Sequence, residues 1–171
     1  MLRALYEGTE AKVADQRLSK REINRIFHHT PASERIMLLG HGSDKGLFSR
    51  TDDTQPDCFD RLLVYHSHAY YLRRHGPNLI GVWCHADLFA RREGLHGLFS
   101  GMIVTEMSEA EQYQVATTPQ ELAEENVRLF RRLRLLLDEG VPFTDIPGRL
   151  QAMDEAHTSL TNFNYSHFYC L

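Results

Sequence analysis

Long apolar runs are absent from this 171-residue sequence, and none approaches the roughly 18 residues that a membrane-spanning helix needs. The N-terminus also lacks the apolar core and small-residue cleavage site of a secretory signal. No internal repeat, low-complexity tract or Pro/Gly/Ser-rich linker divides the chain, so we expect a single intracellular domain over residues 1–171.

Cysteine is scarce as well. The three cysteines, Cys58, Cys84 and Cys170, are odd in number and far apart in the sequence. Such a set does not suggest a disulfide framework and fits a reducing compartment, so we expect a cytoplasmic protein.

Basic charge is in deficit, with 19 Lys and Arg against 23 Asp and Glu and a net charge of −4. The sequence therefore carries no electrostatic footprint for nucleic acid or for an anionic membrane. The glycine-rich stretch "GHGSDKG" has the spacing of neither a P-loop nor a dinucleotide-binding fingerprint, so we do not expect nucleotide binding. The sequence leaves the oligomeric state open.

Short apolar runs are present instead, and helical patterns separate them. The runs "RIMLLG" and "NLIGVWC" predict strands that are buried on both faces. Weaker strand predictions cover "LRALYEG", residues 63–66, residues 102–105 and the alternating tail "NFNYSHFYC". For residues 63–66, a single helix from Asp57 is the alternative prediction.

Two helices have clear boundary signals. Ser19 with Glu22 three residues later is a capping-box pattern, which predicts that a helix begins there. Thr118 and Glu121 form a second capping-box pattern, with a proline at the first helical position between them. This pattern opens a helix predicted over residues 119–139, which a glycine ends. Strands that alternate with helices predict an α/β three-layer sandwich, with a mostly parallel sheet and helices on both faces.

His41 and Cys84 each follow one of the two buried strands, which is where ligand sites lie in parallel α/β sheets. Neighbouring strands are about 4.8 Å apart, so these residues can meet although 43 positions separate them. An imidazole beside a thiol favours the thiolate and can later protonate a leaving amine. The backbone N–H groups of Gly42 and Cys84 are candidate donors to an oxyanion, since glycine puts no side chain in the way of substrate.

The residues themselves leave other readings open. Cys84 could be a core thiol, because cysteine is among the most buried residue types. Zinc binds nitrogen and sulfur ligands, so a metal site is another reading, although no close-spaced ligand motif supports it. Its candidate ligands are His41, His66, His68 and His85. The candidates for substrate contacts that flank the site are Ser43, Asp44, His85 and Asp87.

"RIMLLGHG" followed by "NLIGVWCHAD" resembles the caspase-like cysteine peptidases, which include caspases, metacaspases, gingipain-type enzymes and separase-type domains. Members carry an apolar strand ending in His-Gly and, roughly 50 residues later, an apolar strand ending in the nucleophilic cysteine. The resemblance covers about residues 30–110. It implies that His41 is the general base and acid, Cys84 the nucleophile and Gly42 part of the oxyanion hole. It also implies a protein or peptide substrate and no cofactor.

Two features depart from the family pattern. Val82 stands where metacaspases place an acid that holds a basic substrate side chain, and the caspase sequence Gln-Ala-Cys-Arg-Gly is absent. The chain is also short, which leaves little room for substrate-binding loops. The sequence therefore carries two leading hypotheses: a minimal cysteine endopeptidase of bacterial type, and an inactive caspase-like domain that binds a partner protein.

Overall fold

A computed structural model describes residues 1–14, 17–49 and 61–171, so Cys58 and Asp57 lie outside the described residues. The strands are β1 (Ile36–Leu39), β2 (Gly42–Ser43), β3 (Gly46–Ser49), β4 (Arg61–Tyr65), β5 (Leu79–Val82), β6 (Leu98–Ser100) and β7 (Phe168–Cys170). The α-helices are α1 (Lys20–His29), α2 (His66–Leu72), α3 (Ala86–Glu93), α4 (Met107–Gln112), α5 (Pro119–Asp138), α6 (Ile146–Ala152) and α7 (Ser159–Ser166). Two 3₁₀ segments, Leu2–Leu5 and Arg73–Asn78, complete the regular structure of the described residues.

The chain divides into two units. The sheet unit comprises residues 12–101 and 170–171, and the helical unit comprises residues 1–11 and 102–169. The expectation of one caspase-like domain over residues 1–171 stays a prediction. The predicted α/β class, with a mostly parallel sheet and helices around it, is confirmed.

A four-stranded sheet has the order β1-β5-β6-β7, and the pairs β1–β5 and β5–β6 are parallel. All four residues of β5 are buried, as the run "NLIGVWC" predicts. In β1 only Leu38 is buried. The predicted burial of "RIMLLG" on both faces is therefore wrong, because β1 is at the edge of the sheet that the described residues form and is less covered than β5.

A second, antiparallel sheet of β2, β3 and β4 lies in the sheet unit. The sequence did not predict β2 and β3, which form a hairpin from the stretch "GHGSDKGLFS". Gly46 has a φ of +139°, and a Cβ at this position would lie 2.0 Å from the carbonyl oxygen of Val64. Only glycine lets β3 approach β4 this closely. Because β4 is a strand, the alternative helix is wrong for residues 61–65.

The two predicted helix starts are confirmed. At α1 the Glu22 N–H donates to the Ser19 hydroxyl at 3.3 Å, and the Ser19 N–H donates to the Glu22 carboxylate at 2.8 Å. At α5 the Thr118 hydroxyl accepts from the Glu121 N–H at 3.2 Å. The helix ends one residue before the predicted limit, and a glycine with a φ of +70° follows it.

Two of the weaker strand predictions are wrong, and a third is confirmed only in part. "LRALYEG" contains the 3₁₀ segment Leu2–Leu5, and the strand expected at residues 102–105 lies earlier, as β6. Most of the tail "NFNYSHFYC" belongs to α7, and only its end is strand β7. The tail is helical because Thr158 and Thr161 form a capping box at its start, a signal that overrides the alternating aromatic pattern.

The core of the sheet unit lies between its sheets and helices α1, α2 and α3. It contains buried apolar side chains from the three helices, from five of the strands and from the turn after β5: Ile23, Phe27, Leu38, Leu47, Val64, Ala69, Leu72, Leu79, Trp83, Phe89 and Phe99. The helical unit has a separate cluster around Val104, Leu122 and Leu160. Among the described residues, no helix has both the length and the apolar character needed to cross a membrane.

Candidate active site

His41 and Cys84 follow the carboxyl ends of two neighbouring parallel strands. Leu39 of β1 lies opposite Val82 of β5, and the Gly40 N–H donates to the Val82 carbonyl at 3.1 Å. Each of the two candidate residues comes two positions after this pair, and each is half-buried. The sequence could not supply this adjacency, because 43 residues separate the two positions.

Cys84 lies in the tight turn that joins β5 to α3. The next residue, His85, has a left-handed backbone with φ 67° and ψ 31°, and its N–H donates to the Gly101 carbonyl at 3.1 Å. A non-glycine residue in this region is uncommon and strained. The turn thus places the thiol two residues before Ala86, the first residue of α3. The positive end of a helix favours a thiolate, whereas Asp87 in the first turn opposes it.

His41 lies at the junction of β1 and the hairpin. Its carbonyl accepts from the Phe48 N–H at 2.8 Å, so residues 41 and 48 are a hydrogen-bonded pair of the antiparallel ladder. Gly42 and Leu47 are the next pair of the ladder, which by alternation is a non-hydrogen-bonded pair. By this alternation the N–H of Gly42 faces away from β3.

Glycine is required at position 42 for a reason that the sequence did not reveal. A Cβ there would lie 2.2 Å from Cδ1 of Trp83 and 2.5 Å from the carbonyl oxygen of Gly46. The space beside Gly42 is therefore filled by an indole ring of the protein. The absence of a side chain serves packing first, whatever Gly42 contributes to a substrate.

The predicted substrate-contact residues occupy different environments. Ser43 is half-buried, and its hydroxyl accepts from the Lys45 N–H at 3.1 Å. Asp44 is at the exposed tip of the hairpin and pairs with Arg92 of α3 at 3.4 Å. Asp87 is only 9% exposed, so of the two carboxylates Asp44 is the more accessible to a ligand.

Two histidines of the alternative metal site, His66 and His68, have protein partners. His66 Nδ1 lies 2.7 Å from Oε2 of Glu93, and the Arg92 Nε donates to Oε1 of the same carboxylate at 3.1 Å. Burial raises the pKa of Glu93, but the hydrogen bonds from His66 and Arg92 outweigh it, so the pKa lies below its usual value. His68 is fully buried, and its Nδ1 accepts from the Tyr65 N–H at 3.1 Å.

In the described part of the chain, no group of three or more His, Cys, Asp or Glu side chains is arranged to hold a metal ion. His66 instead joins α2 to the C-terminal end of α3 through Glu93. The cluster of Asp44, Arg92, Glu93 and His66 was missed in the sequence, because its members come from three segments and share no motif.

The sequence also gave no signal for the role of Ser100. Its hydroxyl accepts from the Trp83 N–H at 3.0 Å and lies 2.8 Å from the Trp83 carbonyl oxygen. One side chain thus binds both backbone groups of the residue that precedes Cys84. A single serine at a strand end has no periodicity by which it could be recognised.

Comparison of the chain with protein-family models, with curated proteins and with solved structures found no match. The resemblance to caspase-like peptidases therefore depends on the segments around His41 and Cys84. Any function has to be argued from the chemistry of those residues and the elements that hold them.

Proposed function

We propose that the protein is a cysteine endopeptidase of the caspase-like type, with Cys84 as nucleophile and His41 as general base and acid. One observation carries the proposal. The strands β1 and β5 are parallel neighbours in register, so His41 and Cys84 leave the same edge of the sheet at equivalent positions. This is the placement that a dyad on two strand ends requires.

The proposed reaction is acyl transfer in two steps. His41 takes the proton of the Cys84 thiol, and the sulfur attacks the carbonyl carbon of a peptide bond. The tetrahedral intermediate collapses as His41 protonates the leaving amine, and a thioester with Cys84 remains. Water, deprotonated by His41, then attacks the thioester, releases the acid product and restores the thiol. These steps need no cofactor.

Two features of the geometry support an oxyanion site. The N–H of Gly42 faces away from β3, and the N–H of Cys84 belongs to the turn that leads into α3. Backbone N–H groups fixed in this way stabilise a developing oxyanion without reorganisation during the reaction. The N-terminus of α3 adds positive potential near the thiol.

The alternative function is an inactive caspase-like domain that binds a partner protein. The observation that favours it is Val82, which is 3% exposed at the position where metacaspases have an acid. A buried valine cannot hold a charged substrate side chain, so this position gives no specificity for a basic residue.

The rate of iodoacetamide labelling at Cys84 tests the two functions. It would be followed by mass spectrometry across a range of pH in the wild type and in His41→Ala. We expect fast labelling near neutral pH and at least about tenfold slower labelling in the variant, since an imidazole that stabilises a thiolate is lost. His96→Ala, which removes an exposed histidine of the same unit, is the matched control.

Cys170 serves as an internal reference, because burial raises the pKa of its thiol. The dyad is ruled out in the resting protein if Cys84 labels no faster than Cys170 and His41→Ala leaves the rate unchanged. That result would favour the inactive binding domain.

A further inference from the structure

Trp83, the chain's only tryptophan, is enclosed by the elements that carry the proposed dyad. It is 2% exposed, and its ring lies between two glycines. A Cβ at Gly81 would lie 2.8 Å from Cζ3 of the indole, and one at Gly42 would lie 2.2 Å from Cδ1. Neither glycine can be replaced without moving the ring, so the indole has a fixed place between β5 and the hairpin.

The indole also forms a directed bond to the hairpin. Its Nε1–H donates to the carbonyl oxygen of Ser43 at 3.0 Å. The backbone N–H of Trp83 donates to Ser100 at 3.0 Å. Trp83 is thus bonded to the β6 side of the sheet through its backbone and to the hairpin through its side chain.

The bond from Trp83 adds to two other supports of the hairpin, the pairing of β3 with β4 and the ion pair of Asp44 with Arg92. Gly40, with a φ of +154°, joins β1 to the hairpin, and its N–H donates to the Val82 carbonyl of β5 at 3.1 Å. Glycine has the widest conformational freedom of any residue, so this joint alone does not fix where His41 lies. Ser43 is two residues beyond His41, and Trp83 is directly before Cys84.

We propose that Trp83 is a positioning residue, whose indole N–H holds the hairpin of residues 41–49 against the Cys84 turn and sets the separation of imidazole and thiol. The inference rests on the proposed function, since it concerns the same dyad. It adds a residue to which the resemblance assigns no role. Trp83 acts through His41 and has no contact with substrate.

The single tryptophan allows the bond to be removed without removing the ring. Growth of a tryptophan-auxotrophic host on benzothienylalanine replaces the indole N–H by sulfur at position 83 alone and keeps the bicyclic shape. Incorporation of 5-fluorotryptophan, which retains the N–H, is the matched control. Each form would be made in the wild-type and His41→Ala backgrounds.

Two readouts are taken on the intact protein. The first is the pH profile of Cys84 alkylation by iodoacetamide, and the second is amide hydrogen exchange of Phe48, whose N–H bonds to His41. Loss of one neutral hydrogen bond should slow alkylation near neutral pH about three- to tenfold and speed exchange by a similar factor. The alkylation effect should be absent in the His41→Ala background, because there is no imidazole left to misplace.

Three results would overturn the role of Trp83. One is an unchanged alkylation profile with the sulfur analogue while His41→Ala slows labelling, which leaves the dyad intact. Another is equal slowing in both backgrounds, which would mean that the bond acts on the Cys84 turn and not on His41. The third is an unaltered rate in His41→Ala itself, which removes the dyad and with it the reason for positioning.

Discussion

In each unit, a distant side chain binds both the backbone N–H and the backbone C=O of a buried residue. In the sheet unit, Ser100 binds both groups of Trp83. In the helical unit, the Val104 N–H donates to Oδ1 of Asn164 at 2.8 Å, and the Asn164 amide donates to the Val104 carbonyl at 3.0 Å. In both units, therefore, one side chain satisfies two backbone groups of a buried residue.

The two arrangements differ in what they connect. The Asn164 amide also donates to Oδ1 of Asn126 at 2.9 Å, and the Asn126 amide donates to the Val104 carbonyl at 3.0 Å. The three residues thus form a closed, buried hydrogen-bond network. Trp83, in contrast, is also hydrogen-bonded to the hairpin through its indole N–H, and Cys84 is the next residue. The same arrangement, one side chain bound to two backbone groups, completes the packing of the helical unit and supports the residue before Cys84 in the sheet unit.

Charge divides along the same line. The sheet unit has 13 Lys and Arg against 10 Asp and Glu, a net charge of +3, and eight of the ten histidines. The helical unit has 6 basic against 13 acidic residues, a net charge of −7. The net charge of the whole chain hides this contrast. The positive charge and most of the histidines of the sheet unit become apparent only when the residues are counted for each unit.

The largest effect is expected where the network is closed. Asn164→Ala removes three hydrogen bonds and leaves the buried Val104 N–H without its acceptor. We expect the free energy of unfolding to fall by about 2–4 kcal/mol, measured by urea titration with far-ultraviolet circular dichroism. Asn162→Ala, at an exposed position of the same helix, is the control. A loss no larger than that of the control would show that the network adds nothing to stability.

Ser100→Ala makes the corresponding change in the sheet unit. It removes one hydroxyl, so we expect a smaller loss of about 1–3 kcal/mol in the same titration. Because the hydroxyl fixes the residue before Cys84, the variant should also slow iodoacetamide labelling of Cys84. Ser33→Ala, which removes an exposed hydroxyl of the same unit, is the comparison. Loss of stability with an unchanged labelling rate would make Ser100 a packing residue, equivalent to Asn164.

The smallest of the three effects on stability is expected from acid, which should destabilise the sheet unit at a higher pH than the helical unit. Burial lowers the pKa of His68 below 6.5, and the nearby charge of Lys20 lowers it further. The folded state then binds fewer protons than the unfolded state, so the stability that neutral His68 gives is complete above pH 6.5 and falls as the pH drops toward the folded pKa. We expect the urea midpoint of the wild type to fall from pH 7 to pH 5, and that of His68→Gln to fall less.

The helical unit provides the contrast. Burial raises the pKa of Asp154, but hydrogen bonds from Thr161, Ala156 and His157 outweigh it, so the pKa lies below 3.8. The stability from this carboxylate is present above pH 3.8 and is lost only at lower pH. His96→Gln, at an exposed position of the sheet unit, is the control for His68→Gln. Equal slopes for His68→Gln and the wild type would show that buried His68 does not sense acid.

The parts of the fold that the sequence predicted depend on local signals. Capping boxes gave the starts of α1 and α5, and short apolar runs gave β1 and β5. The tail shows the limit of such signals, because its aromatic alternation predicted a strand where Thr158 begins a helix. Local patterns compete, and tertiary context decides between them.

The placement of the candidate site is a different kind of information. His41 and Cys84 were identifiable as residues that follow apolar runs, but the pairing of β1 with β5 is a long-range contact. The bonds of Trp83 to Ser43 and Ser100 cross 40 and 17 residues. No spacing rule connects such positions, so the residue types were predictable and the supports around them were not.

The burial of Trp83 gives the protein an optical reporter at a useful position. Excitation at the red edge of tyrosine absorption isolates its emission from the seven tyrosines. The signal arises one residue before Cys84, whereas circular dichroism is weighted toward helices such as the 20-residue α5. The emission therefore reports the sheet unit beside Cys84, while circular dichroism reports the helices of both units. A shift of emission on adding a peptide would reveal occupancy beside the thiol without any label.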